Sequence, residues 1–123
     1  MIIKESAENY LEAILMIKQR CGTVRSVDIS KELSFSKASV SVAMKAFREE
    51  GYISVDDAGN IKLEEKGRII AERVYERHMV LANVLMKLGV DEKTAFDDSC
   101  KIEHDISDKS FEMIKRYYEE KSK

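Results

Sequence analysis

The feature that most constrains this chain is a change of period at Gly51. From Lys37 to Glu50 the apolar residues Val40, Met44 and Phe47 recur at three- and four-residue spacing, which predicts a helix. After Gly51 the run Tyr52-Ile53-Ser54-Val55 alternates. Asp56-Asp57-Ala58-Gly59-Asn60 carries turn chemistry, and Ile61-Lys62-Leu63 alternates again. A helix is thus followed at once by a small hairpin, which is marginal alone and must lean on a helical body. Upstream, Ser26 to Leu33 predicts a short helix with Val27, Ile29 and Leu33 as its apolar positions. Ser34-Phe35-Ser36 is a polar break. Two short helices joined by a tight turn, the second entered through Ser, suggest a helix-turn-helix, and the hairpin adds a wing.

The flanks are helical too. Ser6 to Arg20 carries Ala7, Tyr10, Leu11, Ile14, Leu15 and Ile17 at helical spacing, with Ser6 as expected N-cap and Cys21-Gly22 as the stop. A long helical pattern runs from Glu64 to about Leu88, ended by Gly89. Asp91 to about Asp105 and Ser107 to about Glu120 follow, the last capped by Ser107. No proline interrupts any of them. The expected fold class is mainly α: an N-terminal winged helix-turn-helix of three helices plus a two-stranded wing over residues 1–64, then a helical domain over residues 65–123.

Composition narrows the functional classes. Two cysteines, Cys21 and Cys100, make no disulfide framework of the secreted kind. The N-terminus has no continuous apolar run, so neither a signal peptide nor a membrane span is expected, and a reducing cytoplasm is the natural home. The net charge of −2 does not advertise nucleic-acid binding, so any basic surface must be local.

The segment Cys100-Lys101-Ile102-Glu103-His104 places a thiol, a carboxylate and an imidazole at positions i, i+3 and i+4, one face of a helix. Each can bind a transition metal. The plainer reading is a buried Cys beside two exposed polar residues. His78 lies mid-helix, where a lone His is usually structural. Its only companion is His104, so one site would claim both histidines.

A winged helix followed by helices bearing this pentapeptide resembles the metal-dependent repressors of the diphtheria-toxin-repressor and manganese-transport-regulator family. The likeness runs through AENYLEAILMI, DISKELSFSKASVSVAMKAFREEGYI, LEEKGRIIAERVYERH and GVDEKTAFDDSCKIEHDIS. It implies a domain for metal binding and dimerisation after the wing. It also implies a repressor whose corepressor is a divalent transition metal, Fe2+ or Mn2+ foremost, with Co2+, Ni2+ or Zn2+ able to substitute. Cys100, Glu103 and His104 match the primary site of the iron-responsive branch. His78 matches a His ligand of both branches, and Glu12 a carboxylate of the manganese branch. Asn9 stands where the family places a further ligand. Ala82 and Phe96 occupy positions of the iron branch's ancillary site, which therefore looks broken here.

On the DNA side, the third helix should present Ser36, Lys37, Ser39 and Ser41 to the major groove, with Lys45 and Arg48 on the backbone. Asp56 and Asp57 would repel phosphate, so either the wing tip points away or Lys62 at its base makes the only contact there. The expected partners are double-stranded DNA with a palindromic operator and a second copy of the chain, with no membrane. The competing class is a redox- or ligand-sensing winged-helix regulator using Cys100 without a metal, with Cys21 as resolving thiol. A metal hydrolase is disfavoured because no HExxH motif is present.

Overall fold

The structure, a computed structural model, describes residues 5–122. In chain order the elements are α1 (Glu5–Cys21), α2 (Ser26–Leu33), α3 (Lys37–Glu49), β1 (Ile53–Val55), β2 (Ile61–Leu63), α4 (Glu65–Lys87), α5 (Glu92–Ile102) and α6 (Asp108–Lys121). The chain divides into two compact units, one ending at Glu72 and the next beginning at Arg73, a division that falls within α4.

The first unit is the winged helix-turn-helix. Its core gathers Leu11, Ile14 and Ile17 of α1, Ile29 of α2, Val40, Met44 and Phe47 of α3, and Tyr52, Ile53 and Ile61 of the hairpin. Burying each large apolar side chain contributes about 1.5–3 kcal/mol. Edge-on aromatic pairs extend this core, Tyr10 to Phe47 at 6.0 Å and Phe47 to Tyr52 at 6.1 Å between centroids. Phe35, in the polar break, also packs on Tyr10 at 5.4 Å, so the turn is pinned by an aromatic ring. Ser34 turns the chain there in the left-handed region, at φ 57°. Val27, an expected core position, is exposed, since the short helix α2 buries only Ile29.

The wing pairs antiparallel in the register Ile53 with Leu63, Ser54 with Lys62 and Val55 with Ile61. Its acidic tip has a structural cause. The Asp56 carboxylate accepts from the Ala58 and Asn60 backbone N–H at 2.9 and 2.8 Å and so builds the turn itself. The hairpin leans on the preceding strap through Ile61 N–H to the Val24 carbonyl at 2.8 Å. Gly67 lets the first turn of α4 press on the wing, because a Cβ there would lie 2.3 Å from the Tyr52 carbonyl oxygen.

The second unit holds the later part of α4, with α5 and α6. Asp91 caps α5 by accepting from Thr94 N–H, and Ser107 caps α6 from Ser110 N–H, each at 3.1 Å. Two expected boundaries differ. The helix α1 already includes Ser6, whose expected capping role therefore does not arise. The helix α5 ends at Ile102, not near Asp105. Arg77 explains the early stop: its guanidinium takes the Glu103 and Ile106 carbonyls at 3.3 and 2.7 Å, satisfying backbone oxygens outside the helix.

Candidate metal centre and nucleic-acid face

The centre of the second unit is built by α4 and the end of α5. His78 projects from the middle of α4, Cys100 from the last turn of α5, and Glu103 is that helix's C-cap. His78 Nδ1 lies 2.8 Å from Glu103 Oε2 and 3.7 Å from Cys100 Sγ. Nitrogen, sulfur and oxygen donors of these three residues all fall within 4.8 Å of one another. His78 and Glu103 are buried, and Cys100 is the exposed member.

His104 joins by a different route than helix spacing suggests. Glu103, the C-cap, still has helical backbone angles and donates its N–H to the Ser99 carbonyl, so it shares the Cys100 face, whereas His104 lies in the turn beyond the helix. His104 Nε2 instead lies 3.3 Å from Glu103 Oε1, the carboxylate oxygen that His78 does not use. Glu103 therefore stands between two imidazoles. Its Oε1 is buried and accepts no hydrogen bond among the described residues. A buried oxygen of this kind costs about 1–3 kcal/mol unless something positive satisfies it. The donor set is also chemically apt for a first-row divalent ion. On both grounds the residues fit a metal.

The electrostatics point the same way. Burial pulls the His78 pKa down, but hydrogen bonds to Cys100 and Glu103 and their negative charge outweigh it and push it up to about 10. A proton on His78 thus does, in the metal-free site, what a cation would do.

Two supporting residues escaped sequence reasoning. Ser99 is fully buried, and its hydroxyl donates to the His78 carbonyl at 2.5 Å, tying α5 to α4. Arg77 holds the turn after α5, pairs with Asp108 and lies over the Phe111 ring at 5.3 Å. Both partner chiefly with backbone carbonyls, which leave no mark in a sequence. Phe96 packs its ring 5.4 Å from His78, and Ala82 is fully buried. Glu12 and Asn9 lie on α1 in the first unit; Glu12 is buried and Asn9 half-buried. Cys21 is exposed at the last position of α1.

On α3, Ser36 is the N-cap, and its Oγ accepts from Ser39 N–H at 3.1 Å while donating to Ser39 Oγ at 2.9 Å. Lys37, Ser41, Lys45 and Arg48 are exposed on the same helix, as is Lys62 on β2. Val42, exposed by 71 %, was not singled out from the sequence and adds an apolar side chain to the exposed part of α3.

A winged helix-turn-helix together with such a donor cluster defines a metal-responsive DNA-binding regulator. The sequence matches the model of the iron dependent repressor N-terminal DNA binding domain over residues 3–59. It matches that of the iron dependent repressor metal binding and dimerisation domain over residues 64–122. It is 33% identical over 119 residues to an HTH-type transcriptional regulator of Methanocaldococcus jannaschii, covering 95% of each chain. It is 31% identical over 118 residues to the HTH-type transcriptional regulator MntR of Bacillus subtilis, covering 94% of this chain and 83% of that one. The chain belongs to the iron-dependent repressor family and is a metal-dependent transcriptional repressor, with a DNA-binding and a dimerisation domain.

Solved structures agree on the fold. A manganese-dependent transcriptional repressor in complex with manganese superposes with a TM-score of 0.83 at 23% identity, over 91% of this chain and 52% of that one. IdeR of T. acidophilum gives 0.79 at 19% identity, over 95% and 55%. This chain therefore spans about half the length of each of those proteins. No helix among the described residues is long and apolar enough to cross a membrane.

Proposed function

We propose that the chain represses metal-homeostasis genes with a divalent ion of the Fe2+ or Mn2+ type as corepressor, held by His78, Cys100, Glu103 and His104. The observation that carries this is the convergence of His78, Cys100 and Glu103 donors within 4.8 Å, although His78 lies more than twenty residues away in sequence. Bound there, a divalent ion supplies the positive charge that the buried Glu103 oxygen lacks. His78 gives up its proton and presents Nδ1. The Cys100 thiol would lose its proton and offer its sulfur, and Glu103 would offer the carboxylate that lies between the two imidazoles. The family resemblance adds Glu12 and Asn9 of α1 as further donors.

Residues 1–64 act as the DNA-binding part and residues 65–123 as the part for metal binding and dimerisation. In a homodimer, two recognition helices about 34 Å apart would read a palindrome. Ser36, Lys37, Ser39 and Ser41 face the groove, with Lys45, Arg48 and Lys62 on the backbone. The corepressor acts only through its differential affinity for the DNA-competent state. The test is DNA binding titrated with each metal at fixed free concentration. Metal should raise specific affinity for a selected palindrome. Equal affinity with and without metal would overturn the corepressor reading.

A further inference from the structure

The wing tip, Asp56-Asp57-Ala58-Gly59-Asn60, carries no cation of its own. A guanidinium nevertheless stands on it. Arg25, the residue before α2, donates from Nη2 to the Ala58 carbonyl at 2.6 Å, across 33 residues of sequence. The fit depends on Gly59, because a Cβ there would lie 3.1 Å from Arg25 Nη2 and 3.4 Å from Nε. The backbone of Arg25 is held as well. Its N–H donates to the Asp28 carboxylate at 2.9 Å, and the adjacent Val24 carbonyl accepts from Ile61 N–H at 2.8 Å.

The charge of Arg25 is not spent inside the protein. Asp56, the first carboxylate of the turn, is committed to Ala58 N–H, Asn60 N–H and the Asn60 side-chain amide. Arg25 makes no ion pair within 4 Å among the described residues, and it is exposed. One residue on, Ser26 and Val27 line a concavity of about 240 Å³ with Lys37 and Ser41 of α3. Arg25 thus lies between the entry of the recognition helix and the tip of the wing.

We infer that Arg25 is a DNA phosphate ligand that supplies the wing tip with the positive charge the tip's own residues lack. This rests on the reading of α3 as the DNA-binding helix. The planar guanidinium can serve both partners at once. One Nη2 hydrogen keeps the Ala58 carbonyl, while the remaining guanidinium N–H groups are left to donate to a phosphate. Asp56 is turned to the loop's own amides, and the Arg25 charge offsets the repulsion that the exposed Asp57 would exert on a phosphate.

The test uses the full metal-loaded chain and a fluorescein-labelled mixed-sequence DNA duplex, with anisotropy read across a salt series. Binding to the phosphate backbone needs no cognate sequence. For each phosphate interaction removed, the slope of log K against log salt should flatten by about 0.9, so by about 1.8 for two subunits. Arg25→Ala and Arg25→Gln should both show this flattening, while Arg25→Lys should keep the wild-type slope. If Arg25→Ala does not fold, by far-UV melting, the Gln and Lys variants carry the same comparison. A slope unchanged in the neutral variants would overturn the inference and leave Arg25 a mere clip on Ala58. Absence of salt-dependent binding by the wild type would instead overturn the DNA-binding reading of α3 itself.

Discussion

Replacing Arg77 by Met tests whether the turn after α5 is what positions the metal donors. Met keeps the apolar stem that packs toward Phe111 and removes the guanidinium. Two carbonyls then lose their donor: that of Glu103, at 3.3 Å in a buried setting, and that of Ile106, at 2.7 Å in a half-buried one. An orphaned buried acceptor costs about 1–3 kcal/mol, and the half-buried one, which water can reach, costs less. The ion pair with Asp108 adds little, because the Asp108 side chain is 83% exposed and screened by solvent. The expected loss is about 2–4 kcal/mol, or roughly 8–16 °C in melting temperature for a chain of this size. Because Glu103 leads that turn, metal affinity should fall about 10- to 100-fold, as when other residues that orient ligands are removed. Melting of the metal-free protein at fixed concentration gives the first number, and calorimetric titration with Mn(II) and Co(II) the second. A variant that melts as the wild type does and binds both metals equally well would refute the claim that Arg77 holds the site.

Cys100→Ala should shift metal preference away from thiophilic ions and abolish the sulfur-to-metal charge-transfer band of the Co(II) protein, read by absorption spectroscopy. Gly67→Ala should lower stability: displacing the Tyr52 carbonyl costs about 1–3 kcal/mol, more than the ~1 kcal/mol a helix gains from the exchange, and thermal melting measures the balance. The raised His78 pKa has a definite sign. The stability it lends the metal-free protein is complete below 6.5 and is lost as pH rises through about 10. Metal binding must expel that proton, so apparent metal affinity should climb with pH across the same window, and calorimetry in buffers of different ionisation enthalpy should count at least about one proton released per ion.

The winged helix was legible because its evidence is local. The change of period at Gly51, the Ser36 cap and the turn residues around Gly59 each act within a few positions. The metal centre was half legible. Cys100, Glu103 and His104 announce themselves by donor chemistry, and the family resemblance pointed to His78. The geometry was not legible, because the end of α5 is decided by Arg77, twenty-six residues from Glu103, through carbonyls that any residue would provide. Arg25 was missed for the same reason: its partner is the backbone of Ala58. Val27 was misplaced because helical spacing names a face but not how much of that face a short helix covers.

The cap of α3 has a consequence for how much information this protein draws from a gene's control region. Of the residues proposed to face the groove, Ser36 and Ser39 are also engaged in the cap through their hydroxyls, so Lys37, Ser41 and the neighbouring Val42 are the exposed side chains left to reach a base edge. Of these, only Lys37 can meet a base edge, that of guanine, with two hydrogen bonds, the arrangement that discriminates by about 1–3 kcal/mol per base pair; the Ser41 hydroxyl and the Val42 methyls cannot. Each half-site therefore carries few bits, while a genome offers on the order of a million or more competing positions. Selectivity must come from multiplying weak half-sites in the proposed dimer and from the shape of the intervening DNA. An operator of the proposed kind would tolerate single base changes, so the set of genes under control could drift by small steps without losing the regulator.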